Sequence, residues 1–116
     1  MTKIKQYDVW LADLNPRYGT ESGKSRPVVI VQTNVLNELA HPSTIICPLT
    51  TNVIPDAYPL RVRLSAKEAG TVKPSDILVD QVRSIDNKRF IEKLGCLNKA
   101  SSKSLQDSLL LVLSTN

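Results

Sequence analysis

Apolar positions along the chain fall into short runs of strand length, set between clusters of turn residues. Residues 7–13 (YDVWLAD) read as a first strand. Residues 27–32 (PVVIVQ) read as a buried second strand, with Pro27 at its first position, where a missing N–H is tolerated. Residues 44–50 (TIICPLT) make a third. In residues 59–64 (PLRVRL) alternation is strict, which predicts Leu60, Val62 and Leu64 inward and Arg61 and Arg63 outward. Residues 77–85 give a fifth strand interrupted by polar groups. Residues 90–97 give a sixth, where Gly95 predicts a bulge or a close backbone approach.

Between these runs, Asn15-Pro16 is a turn signal. Residues 15–25 hold two glycines and no apolar period, so they predict a long loop, which in a small domain is more often functional than accidental. Residues 34–39 and 65–70 predict short helical turns. The tail changes period: Asn98 is a plausible N-cap, and Leu105, Leu109, Val112 and Leu113 recur at helical spacing. Short strands followed by one amphipathic helix predict a mainly β fold, a small antiparallel β-barrel closed by a C-terminal helix.

Composition narrows the class. The 116 residues, 41% hydrophobic and 22% charged, suit one soluble globular domain spanning 1–116. No apolar run approaches a membrane span, and the N-terminus lacks the apolar stretch of a signal peptide, which predicts a cytoplasmic protein. Cys47 and Cys96 lie far apart inside apolar runs and are expected as buried free thiols. A formal charge of +4 and a pI near 9.2 suit a nucleic-acid partner. The cations cluster: Arg17, Lys24 and Arg26, then Arg61 and Arg63, then Arg83, Lys88 and Arg89.

Candidate chemistry is sparse. His41, the single histidine, sits beside Pro42 in a turn and reads as surface. No Ser/His/Asp set, phosphate-binding glycine loop or metal-ligand spacing is present, so no metal and no cofactor are expected. Polar residues do recur where strands end. Glu21 and Arg26 flank the second strand, Thr50 and Thr51 end the third, and Asp80, Gln81, Arg83 and Ser84 interrupt the fifth. Loops and strand ends of a barrel are where sites are grafted.

Three segments together resemble the MazF/PemK family of toxin endoribonucleases, the toxin halves of bacterial type II toxin–antitoxin pairs. They are YDVWLADLNPRYGTESGKSRPVVIV, IICPLTT and ILVDQVRSID, in the family's order and across nearly the whole chain. The resemblance implies an SH3-like antiparallel β-barrel with a C-terminal helix, and a homodimer. It places Arg26 and Thr50 at catalytic positions, with Thr51 as the register alternative, and Glu21 at the acidic loop position. Asp80, Gln81 and Ser84 fall where the family contacts RNA, and Thr20, Tyr58 and Pro59 match further RNA-contacting positions. Arg17, Lys24 and Arg83 add positive charge along the same path. Nothing is carried onto His41.

The implied reaction is metal-independent cleavage of single-stranded RNA, mRNA in the cell, by the substrate's own 2′-OH. That needs a base for the 2′-OH proton, stabilisation of the crowded phosphorane and a proton for the leaving 5′-oxygen. A guanidinium suits the second task and fits phosphate bidentately, but it is a poor base. Thr50 supplies a hydrogen-bond donor, and Glu21 is the nearby group chemically suited to take the proton. The implied partners are an RNA strand, a MazE-like antitoxin with an acidic disordered tail, a second copy of the chain, and DNA only through the antitoxin. Two alternatives come from other classes: a non-catalytic toxin of the same fold that poisons DNA gyrase, and a non-catalytic RNA-binding barrel.

Overall fold

In the computed structural model, residues 3–16, 18–21 and 23–115 are described. The apolar runs become β1 (Asp8–Asp13), β2 (Ser25–Ile30), β3 (Ser43–Thr50), β4 (Arg61–Leu64), β5 (Ser75–Leu78), β6 (Arg83–Asp86) and β7 (Phe90–Cys96). A short helix α1 (Asn34–Glu38) follows β2, and α2 (Lys99–Val112) ends the chain. All pairings are antiparallel, in the order β4-β5-β3-β2-β1-β7, with β6 also pairing β3.

Successive side chains of a strand point to opposite faces, and here both faces are buried. Val9, Val29, Cys47 and Leu49 enter one core, with Leu64, Ile77 and Leu105. Trp10, Val28, Ile30 and Ile46 enter the other, with Leu14 and Ile85. Two cores explain why residues 28–31 are β-branched without a break. Phe90 packs edge-on against Trp10, ring centroids 5.7 Å apart. Helix α2 covers the first core through Leu105, Leu109 and Val112. Its N-cap is Asn98, whose side chain accepts the Ser101 N–H.

Several expectations need correction. The ladder is open, not a closed barrel: β4 and β7 are its two ends. Helix α2 packs on β4, and the 3-10 turn Glu68–Gly70 packs on β7. The fifth strand is two strands, β5 and β6, separated by the 3-10 turn Val79–Gln81. β5 pairs the end of β3 and β6 its beginning, so the chain must step between them, and buried Val79 pins the step. Pro27 is the third residue of β2, because Arg26 and Ser25 go on pairing with Ala12 and Asp13. Leu60 turns outward, since the β4 ladder begins only at Arg61. Leu113 lies past the end of α2 and is exposed. Cys47 is buried as expected, but Cys96 is exposed, because the strand period that buries Leu97 turns its neighbour outward.

Gly95 meets its expectation on both counts. The β1–β7 register shifts beside it, and a Cβ there would come within 2.8 Å of the Ala69 carbonyl carbon.

Candidate active site

Strand register brings the first two candidate residues together. β2 and β3 pair Ile30 with Ile46, Val29 with Cys47 and Val28 with Pro48. Just past the end of this ladder the Arg26 guanidinium reaches the Leu49 carbonyl, next to Thr50 in β3. The Arg26 side chain is held from two sides. Its Nε donates to the Gly23 carbonyl at 3.0 Å and its Nη1 to the Leu49 carbonyl at 3.2 Å. The guanidinium is thus fixed to the last strand residues of β3 and to the end of the loop before β2. Thr50 is half-buried, and its Oγ1 accepts the Asn52 N–H at 3.1 Å. A hollow of about 210 Å³ opens here, lined by Arg26, Pro27, Leu49, Thr50, Thr51 and Ser75. Both threonines therefore reach it.

The loop between β1 and β2 forms one flank. Its stem is closed by the Leu14 N–H to the Lys24 carbonyl at 2.9 Å and the Lys24 N–H to Asn15 Oδ1 at 2.7 Å. Arg89 donates to the Asp13 and Asn15 carbonyls beneath it. Further out, Gln81 Nε2 donates to the Thr20 carbonyl at 3.3 Å, which joins the 79–81 turn to the loop. Glu21 is exposed on this loop, outside the lining of the hollow, as is Lys24. Arg17 lies outside the described residues.

On the other flank, Tyr58 is exposed and Pro59 half-buried in the loop between β3 and β4. Asp80 is exposed next to Gln81. The Cys47 thiol is pushed up to about 12, by burial first and then by the Asp80 charge, so it stays protonated and inert. Arg83 and Ser84 stand apart from the other candidates. They pair with Ile46 and Ile45, near the beginning of β3. Along the strand Ser84 lies roughly 16 Å from Thr50. Among the described residues, Arg83 Nη1 is buried with no hydrogen-bond partner. No group of three or more His, Cys, Asp or Glu among the described residues is placed to hold a metal ion.

The PemK-like, MazF-like toxin family of type II toxin–antitoxin systems matches residues 5–113. The chain belongs to that family. Endoribonuclease MazF of Staphylococcus epidermidis is 35% identical over 113 residues, 97% of this chain and 93% of that protein. Two solved structures from Deinococcus radiodurans share the fold at 22% identity. MazF superposes with a TM-score of 0.81, covering 99% of this chain and 100% of that one. A MazE-MazF structure gives 0.77, covering 100% of both chains. An endoribonuclease in complex with its cognate antitoxin, from mycobacteria, is 19% identical with a TM-score of 0.75, covering 100% and 98%.

Within this family member, the structure adds residues that sequence reasoning missed. Ser75 lines the hollow from β5. Arg89 clamps the β1–β2 stem. Tyr18 is a second exposed aromatic, 68% exposed against 64% for Tyr58, so each flanking loop presents one tyrosine. Asp76 is buried beside Thr50 in the β3–β5 register and binds both Arg61 and Arg63. One signal for it was in the sequence. Two arginines on one face of a strand call for an acid on the strand next to it, and Asp76 is the carboxylate that begins the following apolar run.

Proposed function

We propose that this chain is an endoribonuclease that cuts single-stranded RNA, with Arg26 and Thr50 at the scissile phosphate. The observation that carries the reading is the anchoring of Arg26 by the Gly23 and Leu49 carbonyls at the hollow that Thr50 also lines. A guanidinium held in that way spends no ordering entropy when phosphate arrives.

In the reaction, the substrate's 2′-oxygen bonds to the adjacent phosphorus and the bond from phosphorus to the 5′-oxygen breaks. A 2′,3′-cyclic phosphate and a 5′-hydroxyl end result, with the leaving 5′-oxygen taking its proton from solvent water. Arg26 neutralises the extra charge on the phosphorane, and the Thr50 hydroxyl donates to a phosphate oxygen. Glu21, on the β1–β2 loop, takes the 2′-OH proton. Its exposed position requires the β1–β2 loop to fold inward over the RNA. Thr20, Lys24, Gln81 and Asp80 line the path on that side, and Tyr58 and Pro59 flank it on the other. Arg83 and Ser84, farther along β3, meet RNA only if the strand runs on past the hollow.

The S. epidermidis relative's designation as an endoribonuclease supports the reaction class. The D. radiodurans MazE-MazF structure supports an antitoxin partner of the MazE kind, whose acidic tail would occupy the same cationic path. A homodimer fits the exposed Leu110 and Leu111 on α2 and Leu113 just past its end, and static light scattering at micromolar concentration tests it.

The deciding experiment incubates the purified chain with a long single-stranded RNA in EDTA, beside Arg26→Ala. Cleavage by the wild type with 2′,3′-cyclic phosphate ends, lost in the variant, is expected. Intact RNA, or intact RNA with inhibited gyrase supercoiling, would overturn the reading.

A further inference from the structure

The loop from residue 51 to 60, which leaves β3 at Thr50, is tied down from beneath by one carboxylate. Asp76 is 1% exposed. Its Oδ1 accepts from Arg63 Nε at 2.6 Å, and its Oδ2 accepts from the Ile54 N–H at 2.9 Å and from Arg61 Nη1 at 3.2 Å. Both arginines then reach back to the same loop. Arg61 Nη1 donates to the Asn52 carbonyl at 2.9 Å, and Arg63 Nη2 to the Ile54 carbonyl at 3.2 Å. Three backbone groups of one loop thus hang on a single side chain and its two partners. Below the loop the cluster lines a hollow of about 340 Å³ that also takes in Tyr58.

Burying a carboxylate is costly, and for stability alone an apolar side chain at such a position commonly does as well. What the carboxylate does that an apolar residue would not is fix direction. It orients two guanidinium groups, and they orient the peptide groups of Asn52 and Ile54. The position is also telling. In the β3–β5 register Asp76 stands opposite Thr50, and the neighbouring Ser75 lines the hollow that Arg26 shares. The guanidinium groups of both arginines, each an available phosphate ligand by charge, are engaged by Asp76 instead.

We infer that Asp76 is a positioning residue for substrate selection: through Arg61 and Arg63 it holds the 51–60 loop as a rigid wall, and that wall decides which bases are accepted beside the scissile phosphate. This rests on the endoribonuclease reading above. The wall should act on discrimination between RNA sequences more than on the bond-breaking step, because Arg26 and Thr50 keep their own anchors.

The test compares wild type, Asp76→Asn and Arg63→Gln. Arg63 is 45% exposed, so its replacement leaves the core intact, and it spares Asp76's bonds to Arg61 and Ile54. The wild-type cut site is located by sequencing 5′ ends, and kcat and KM are measured on a short RNA bearing it and on its single-base variants. Hydrogen exchange at the Ile54 amide is followed in parallel. For Asp76→Asn, discrimination against single-base variants should fall roughly tenfold or more, mainly through KM, with kcat on the preferred RNA nearly unchanged. Arg63→Gln should lie between, and Ile54 exchange should rise in the same order. A loss of kcat uniform over all RNAs, or unchanged discrimination in the folded variants, would overturn the inference. If Asp76→Asn does not fold, Arg63→Gln alone decides. If wild type cuts no RNA, the ribonuclease reading falls and this use of the wall falls with it. Faster Ile54 exchange without any change in cutting would instead refute the inference alone.

Discussion

Among the described residues, the two loops that flank the hollow are held in different ways. The β1–β2 loop, residues 14–24, is clamped at its stem by Asn15, Lys24 and Arg89, and farther out Gln81 holds the Thr20 carbonyl. The β3–β4 loop is braced along its length from beneath by buried Asp76 and two arginines. Each carries a cis X-Pro peptide and one exposed tyrosine, so composition does not separate them. The difference lies in where the hydrogen-bonding partners sit. Stem clamps fix where a loop starts and ends. A buried brace fixes the path itself. On the reading above, the first loop is the arm that folds over RNA and the second is the wall against which it closes.

The largest way to test this contrast is at the hollow both loops share. Arg26→Ala should lower RNA cleavage roughly a hundredfold to a thousandfold, the loss typical of removing one group that stabilises charge in a transition state. Circular dichroism should show the fold retained. Thr50→Val keeps the shape and removes one neutral donor, so cleavage should fall about tenfold, whereas Thr51→Val should cost less.

Next comes the brace. Asp76→Ala leaves two cations without their carboxylate, and urea unfolding should show a loss of about 2–3 kcal/mol. The figure sits below that for fully buried pairs because Arg63 is nearly half exposed and rehydrates. Its pH dependence has a definite sign. Burial alone pushes the Asp76 carboxyl up. Hydrogen bonds from Arg63, the Ile54 amide and Arg61, with the Arg63 charge, outweigh that and hold it below the ordinary carboxylate range. A group held low when folded stabilises fully above its unfolded value, about 3.9, and that support fades as pH falls through the folded value. The difference in urea stability between wild type and Asp76→Ala should therefore stay constant from pH 7 to about 5 and shrink below about 4.

The smallest effect belongs to the outer part of the arm. Gln81→Ala removes the side chain that holds Thr20, and should cost less than about 1 kcal/mol in stability. If the loop closes on RNA through the same contact, KM should rise a few-fold while kcat holds. A change as large as that of Asp76→Ala would erase the distinction between the two loops.

Much of this was legible in the residues themselves. Strand-length apolar runs located β1, β2, β3 and β7, Asn98 and the leucine period located α2, and three motif segments pointed to Arg26, Thr50 and the family. Those features are local: period 2, period 3.6, capping and short-range motif order depend on neighbours in the chain. Tertiary structure alone decided the rest. The step from β5 to β6 exists because β3 is long enough to serve both. The ladder stays open at β4 and β7, against which α2 and the 68–70 turn pack. The pairing of β2 with β3, not spacing in sequence, brings Arg26 and Thr50 to one hollow. Asp76 took its meaning only when β5 was laid between β3 and β4, since a carboxylate's role depends on which cations and amides surround it in space.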